Sequence, residues 1–123
     1  MTNWLDYRRK LARRSSEFGR LRPNTLAGYK QLGEAQDTDA LDAKTRELVS
    51  LALAVALRCD GCITSHTTAA LKAGATKEEV AEALSIAVSM NAGAAMVYSA
   101  RVLDAYDALS APSPNPASGT GTP

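Results

Sequence analysis

Soft nucleophiles, imidazoles and aromatic rings are scarce in this chain. Its 123 residues hold two cysteines, one histidine, one tryptophan and one phenylalanine. Two cysteines cannot build the multi-bridge framework of a small secreted scaffold, and a pair two residues apart closes too small a loop to restrain the unfolded chain much. Excess charge is missing as well. Fourteen basic residues against thirteen acidic leave a formal +1, so no overall field draws nucleic acid or an anionic membrane. The one basic run (Arg8, Arg9, Lys10, Arg13 and Arg14) has no aromatic platform interleaved with it and reads as a solvated helix face or an oligomer surface. By reading along the chain, no apolar stretch approaches the ~20 residues that cross a bilayer, and residues 1–11 lack the apolar core of a secretory signal. The expectation is a cytoplasmic protein with neither nucleic acid nor membrane as partner. In a reducing compartment a close cysteine pair is more often redox-active or metal-binding than structural.

Alternating β-branched runs bounded by turn signals are also absent, which removes the strand signature. Helical spacing recurs instead, and the chain reads all-α. Trp4, Tyr7, Leu11 and Phe18 mark one face of a first helix that Gly19 is expected to end. Pro23 suits the first turn of a second, with Leu26, Tyr29 and Leu32 before Gly33. Residues 37–39 form a polar break. Leu41 and Asp42 then read as staple and N-cap of a third helix through about Arg58. Its apolar positions, Leu48, Leu51, Ala52 and Val55 with Val49, Leu53 and Ala56 beside them, make it central. Asp60 is expected to cap a fourth helix, with Gly74 as its C′ residue. Thr76-Lys77-Glu78-Glu79 is a capping box for a fifth, with Val80, Ala83, Leu84, Ala87 and Val88 inward. Asn91-Ala92-Gly93 should interrupt or kink the pattern before a last helix to about Leu109. Residues 1–109 thus read as one domain and 110–123, Pro-, Ser- and Gly-rich, as a disordered tail. The third and fifth helices have apolar faces broader than so small a monomer can cover, which predicts self-association.

Both cysteines and the only histidine fall in one octapeptide, Cys59-Asp60-Gly61-Cys62-Ile63-Thr64-Ser65-His66. On a helix starting near Asp60 the three side chains share a face, and His66 follows Cys62 at the i,i+4 spacing at which helical side chains meet. A first-turn position favours an anionic sulfur, and a thiol attacks only as thiolate. Gly61 leaves room for a substrate or partner to approach. Glu47, if the third and fourth helices form a tight antiparallel hairpin, comes level with His66 within about a turn. From spacing alone it is open between a surface carboxylate paired with Lys44 or Arg46 and a group that orients the imidazole. A zinc site of Cys59, Cys62, His66 and Glu47 is the competing reading; against it, no second Cys/His pair exists elsewhere in the chain.

The pattern Glu47-x11-Cys59-x-x-Cys62-x-x-x-His66, set in RELVSLALAVALRCDGCITSHTTAALKAGATKEEVAEAL, resembles the carboxymuconolactone decarboxylase family, specifically its alkylhydroperoxidase D-like branch. The likeness is closest over Leu41 to about Val88. It implies a compact all-helical core of five to six helices assembled as a homotrimer or homohexamer. It also implies a thiol-dependent hydroperoxidase that needs no bound cofactor, whose disulfide is re-reduced by a dithiol or a lipoylated protein. Within it Cys62 corresponds to the attacking thiol, Cys59 to the resolving one, and Glu47 and His66 to the proton relay. Some hydroperoxidases of this type carry a histidine between the cysteines, where this chain has Asp60-Gly61. The alternatives on the same fold are a zinc-binding or redox-sensing protein and a carboxymuconolactone-type decarboxylase, whose lactone acid would need cationic anchors near a histidine base.

Overall fold

The computed structural model describes residues 1–34 and 40–112, and among them every regular element is helical. Five helices follow one another: α1 (Trp4–Leu21), α2 (Pro23–Glu34), α3 (Ala43–Ala56), α4 (Asp60–Lys72) and α5 (Lys77–Ser110). The polar break at 37–39 and the tail from 113 lie outside the described residues. By contacts the chain divides into one unit through Ser89 and another from Met90 onward.

Local chemistry accounts for most boundaries. Asn3 caps α1 by accepting the Asp6 N–H, and Asp42 caps α3 by accepting that of Thr45 at 2.7 Å. Thr76 and Glu79 exchange side-chain-to-backbone bonds at the start of α5, the reciprocal capping box expected there. Two helices end in the same way. At the close of α4, Gly74 (φ 83°) donates to Leu71 and Ala75 donates to Ala70, a Schellman pair of bonds. At the close of α3, Arg58 (φ 54°) donates to Val55 and Cys59 to Ala54. A non-glycine residue thus holds the left-handed position there, and α3 ends two residues before the expected Arg58. This turn delivers Cys59 to the N-cap of the next helix.

Two other expectations are corrected. Gly19 does not end α1; the helix continues to Leu21, and the buried glycine lets the Leu26 side chain of α2 lie against the α1 backbone. Nor does Asn91-Ala92-Gly93 break the fifth helix, which runs unbroken for 34 residues. An interior glycine costs only about 1 kcal/mol relative to alanine, and no proline removes a backbone donor.

The core of the first unit sits between α3 and α4. Leu51 and Ala70 are almost fully buried, with Ala75 beside them and Leu48 and Val80 packed on the cluster. Lys44 of α3 donates to Glu79 of α5 at 2.8 Å. That bond lowers the Glu79 pKa and raises that of Lys44, while the Thr45 hydrogen bond lowers that of Asp42. Depressed carboxylates stabilise the fold above their unfolded values, here 4.5 and 3.8, and lose that contribution as pH falls through the folded ones. Thermal midpoints should therefore hold steady from pH 5 to pH 8 and drop in acid, and the acid drop should be smaller in Glu79→Gln than in the parent chain.

The second unit presents much apolar surface. Met96, Val97, Tyr98, Val102, Leu103, Tyr106 and Leu109 are each at least 67% exposed. Contrary to the reading of the sequence, α5 is by length and composition alone long and apolar enough to cross a bilayer, with an 18-residue window of mean hydropathy 1.5. The alanines that fill the gaps between its larger side chains raise the average without forming an uninterrupted apolar run.

Candidate functional site

The Schellman turn at Arg58 sets the chemistry of the next four residues. Cys59, in extended conformation (φ −101°, ψ 95°), takes the N-cap of α4, and its Sγ accepts the Cys62 N–H at 3.1 Å. Asp60, expected in that role, is instead the first helical residue and contributes a carboxylate to the first turn. Both residue types can cap. The cap falls to Cys59 because the α3 terminus already fixes its backbone outside the helix.

Capping brings the two sulfurs together, and Cys59 and Cys62 form a disulfide with S–S 2.05 Å. Both residues are half-buried. Gly61 lies between them, but the space beside it is filled. A Cβ there would stand 3.0 Å from Leu11 Cδ2, so the glycine admits a side chain of α1 rather than a substrate. Leu11 thereby packs the N-terminal turn of α4 from one side.

One turn further along α4, His66 Nδ1 stands 2.7 Å from Glu47 Oε2 on α3. The antiparallel packing of α3 on α4 makes this pair, as the hairpin arithmetic expects. A carboxylate oxygen only accepts, so Nδ1 carries the proton and Nε2 is left as the base nitrogen. Glu47 is thus paired with the imidazole across the two helices, while Lys44 pairs with Glu79. The four residues singled out in the sequence form two pairs on adjoining turns: a disulfide at the N-terminus of α4 and a Glu–His couple following it.

Glu47 and His66 open on a cleft of about 450 Å³ whose other lining residues are Lys30, Gly33 and Glu34 from α2 and Arg46 and Ser50 from α3. The sulfurs are not part of that lining. The contribution of α2 had no signal in the sequence, since Lys30 and Glu34 look like any solvated helix face. Nor do the four candidate donors converge as a zinc site requires. The sulfurs are bonded to each other, and among the described residues no three His, Cys, Asp or Glu side chains are grouped to hold a metal.

Known proteins bear on this arrangement. Residues 23–105 match the model of the carboxymuconolactone decarboxylase family. An uncharacterized protein of Haemophilus influenzae is 45% identical over 106 residues, spanning 85% of this chain and 94% of that one. Another, from Cupriavidus necator, is 34% identical over 110 residues, spanning 86% and 97%. Among solved structures, a carboxymuconolactone decarboxylase family protein from Legionella pneumophila, determined in its apo form, superposes with a TM-score of 0.67 at 36% identity, covering 88% of this chain and 97% of its own. A protein from Methanobacterium thermoautotrophicum gives 0.64 at 34% identity, with 69% and 97% covered.

Proposed function

This chain belongs to the carboxymuconolactone decarboxylase family, and from the dithiol it carries we propose a thiol-dependent hydroperoxidase, a disulfide oxidoreductase that cycles Cys59 and Cys62 between two thiols and a bridge. The observation that carries this reading is the pairing of that disulfide with an imidazole one turn away, whose Nδ1 is held by Glu47. In the reduced protein His66 takes the Cys62 proton, and the thiolate attacks the O–O bond of a hydroperoxide. The bond breaks heterolytically; Cys62 keeps one oxygen as sulfenic acid, and the departing alkoxide receives the proton from His66. Cys59 then attacks Cys62 Sγ, the S–S bond forms, and the hydroxyl leaves as water. A dithiol, free or carried by a lipoylated protein, supplies the two electrons that reopen the bridge. No metal or organic cofactor enters this cycle, and the setting is the cytoplasm, where such donors keep thiols reduced.

The test is direct. One equivalent of an organic hydroperoxide added to the reduced protein should consume two thiols and one peroxide and yield the intramolecular bridge. Thiols left intact while peroxide persists would end the reading. A second reading has one observation in its favour. Lys30 and Arg46 line the cleft onto which His66 and Glu47 open, with Glu34 in the same lining, and the two cations are the anchors that a lactone acid needs for decarboxylation on a histidine base. That reading predicts full activity on a lactone acid after both cysteines are replaced by serine, whereas the peroxidase loses everything.

The active form proposed is a homotrimer or homohexamer. Its support is the set of large apolar side chains exposed on α5 from Met96 to Leu109, the kind of surface that marks an interaction site. Arg101, Asp104 and Asp107 interrupt the same stretch, and three charges in fourteen residues suit a protein interface better than hydrocarbon. Light scattering should return three or six times 12.9 kDa, and Val102→Asp should reduce that mass. A parent chain that runs as a monomer at micromolar concentration would remove the proposal.

A further inference from the structure

We propose that α1 is the docking face for the protein that reopens the bridge: a donor with an acidic surface, carrying its dithiol on a flexible arm, seats on the outer arginines of α1 and reaches the sulfurs across that helix. The inference rests on the dithiol cycle above and deepens it by assigning the surface that recognises the donor.

Charge is balanced over the whole chain but not along its length. The first 22 residues hold seven of the fourteen basic residues and two of the thirteen acidic ones, so α1 and its C-cap Arg22 gather half of the positive charge. Both acids are engaged locally: Asp6 pairs with Lys10 at 2.9 Å and Glu17 with Arg14 at 2.8 Å. Arg9, Arg13 and Arg20 recur at i, i+4 and i+11, which sets them on one line about 16 Å long. All three are exposed, and among the described residues none meets a carboxylate; Arg20 donates to the Ser16 hydroxyl at 3.1 Å. With Asp6 and Lys10, Arg9 and Arg13 also border a surface hollow of about 310 Å³. A row of guanidinium groups without counter-charges is suited to the carboxylates of an acidic surface, which it can hold in bidentate pairs.

Position ties this ridge to the redox turn. On the opposite side of α1 by helical register, Leu11 packs on Gly61 between the cysteines, its Cδ2 3.0 Å from where a Cβ there would stand. A partner on the ridge is therefore separated from the N-terminal turn of α4 by the width of one helix, about 10–12 Å with side chains. A dithiol fixed in the partner's own fold falls short of that span, whereas one mounted on a lysine side chain through a lipoyl chain exceeds it. Beside the sulfurs themselves, exposed Arg58 and Asp60 offset each other, which leaves the ridge as the charge that steers approach. Two other anionic occupants fit less well. The apolar face of α1 is already engaged, Leu11 on Gly61 and Gly19 against Leu26, so the helix cannot turn that face into a bilayer. No aromatic side chain lies along the ridge to stack nucleobases. The exchange that follows docking balances: the donor's two thiols give two electrons and two protons, its own S–S bond forms, the Cys59–Cys62 bond breaks, and both protein sulfurs end as thiols.

The experiment follows reduction of the oxidised full-length chain by three donors with the same dithiol: free dihydrolipoamide, and dihydrolipoyl-lysine peptides flanked either by glutamates or by glutamines. At about 10 mM salt, where the Debye length is about 30 Å, the glutamate peptide should reduce the bridge at least about tenfold faster than the glutamine peptide, and the advantage should vanish near about 1 M. Arg9→Glu combined with Arg13→Glu should abolish the preference, and Arg9→Lys combined with Arg13→Lys should keep most of it. Free dihydrolipoamide should react alike with all three chains, which also shows that the variants are folded. Equal rates for the two peptides on the parent chain, or a preference undiminished by the charge reversal, overturns the proposal. So does a charge reversal that lowers the mass in light scattering, which places the ridge between copies of this chain. Duplex DNA or phosphatidylglycerol vesicles held by these arginines, with no preference between the peptides, overturns it in favour of those polyanions. No peroxide enters the experiment. A bridge that free dihydrolipoamide leaves closed ends the dithiol cycle itself, whereas a bridge opened equally by both peptides ends only the docking.

Discussion

Replacing Cys62 by serine is expected to lower peroxide turnover at least a thousandfold, about 4 kcal/mol of lost transition-state stabilisation, and to leave no sulfenic acid detectable with dimedone. A serine hydroxyl in the same place keeps the volume but has no low-lying thiolate to offer. Cys59→Ser should behave differently. It retains the attacking sulfur and His66, so it consumes one equivalent of peroxide per chain at close to the parent rate and then stalls, with dimedone adding to Cys62. Steady-state turnover with a dithiol donor and single-turnover peroxide consumption, measured on both variants, separate the two roles. Sustained turnover by either variant at the parent rate would contradict the cycle, because each half of it requires both sulfurs.

Why these two sulfurs and not others is largely a matter of local sequence, and that part could be read without a structure. The Cys-x-x-Cys spacing, the i,i+4 step to His66 and the capping signals at Asp42 and Thr76 all depend on residues a turn apart, where helix geometry fixes the outcome. The Glu47–His66 pair was within reach because a short turn between two helices permits only a narrow range of antiparallel register. What escaped the sequence depends on competition or on distance. Cys59 and Asp60 are adjacent and both able to cap; the choice is made by the Schellman turn at Arg58, where the residue in the left-handed position is not a glycine and gave no warning. Gly61 reads as open space until Leu11, fifty residues away in sequence, is seen filling it. The α2 side of the cleft is likewise a product of packing between segments that carry no mutual signal. Asn91-Ala92-Gly93 misled in the opposite sense: its local preference against helix is real but small beside the backbone bonds of a 34-residue helix.

Removing the imidazole tests the other pair. His66→Ala is expected to slow the reaction of Cys62 with peroxide at neutral pH by about a hundredfold, the lower end of what a positioned general base contributes. Alkylation of Cys62 by iodoacetamide at the same pH should slow in parallel, since both reactions begin from the thiolate. Glu47→Gln acts at one remove. The amide oxygen can still accept from Nδ1, so the ring keeps its orientation, but the charge-assisted hydrogen bond becomes a weaker neutral one, and a loss of about tenfold is the expected cost. The decisive measurement is the double variant. In the proposed cycle Glu47 acts on the reacting sulfur only through His66, to which it is bonded at 2.7 Å, so once the imidazole is absent the carboxylate has nothing left to orient. The double variant should then be no slower than His66→Ala alone, a coupling equal to the whole Glu47 effect. Multiplicative losses would mean that Glu47 acts on the site by a second route. In that case the cleft it lines with Lys30 and Arg46 becomes the place to look, because a carboxylate there would act on the bound substrate and not on the ring.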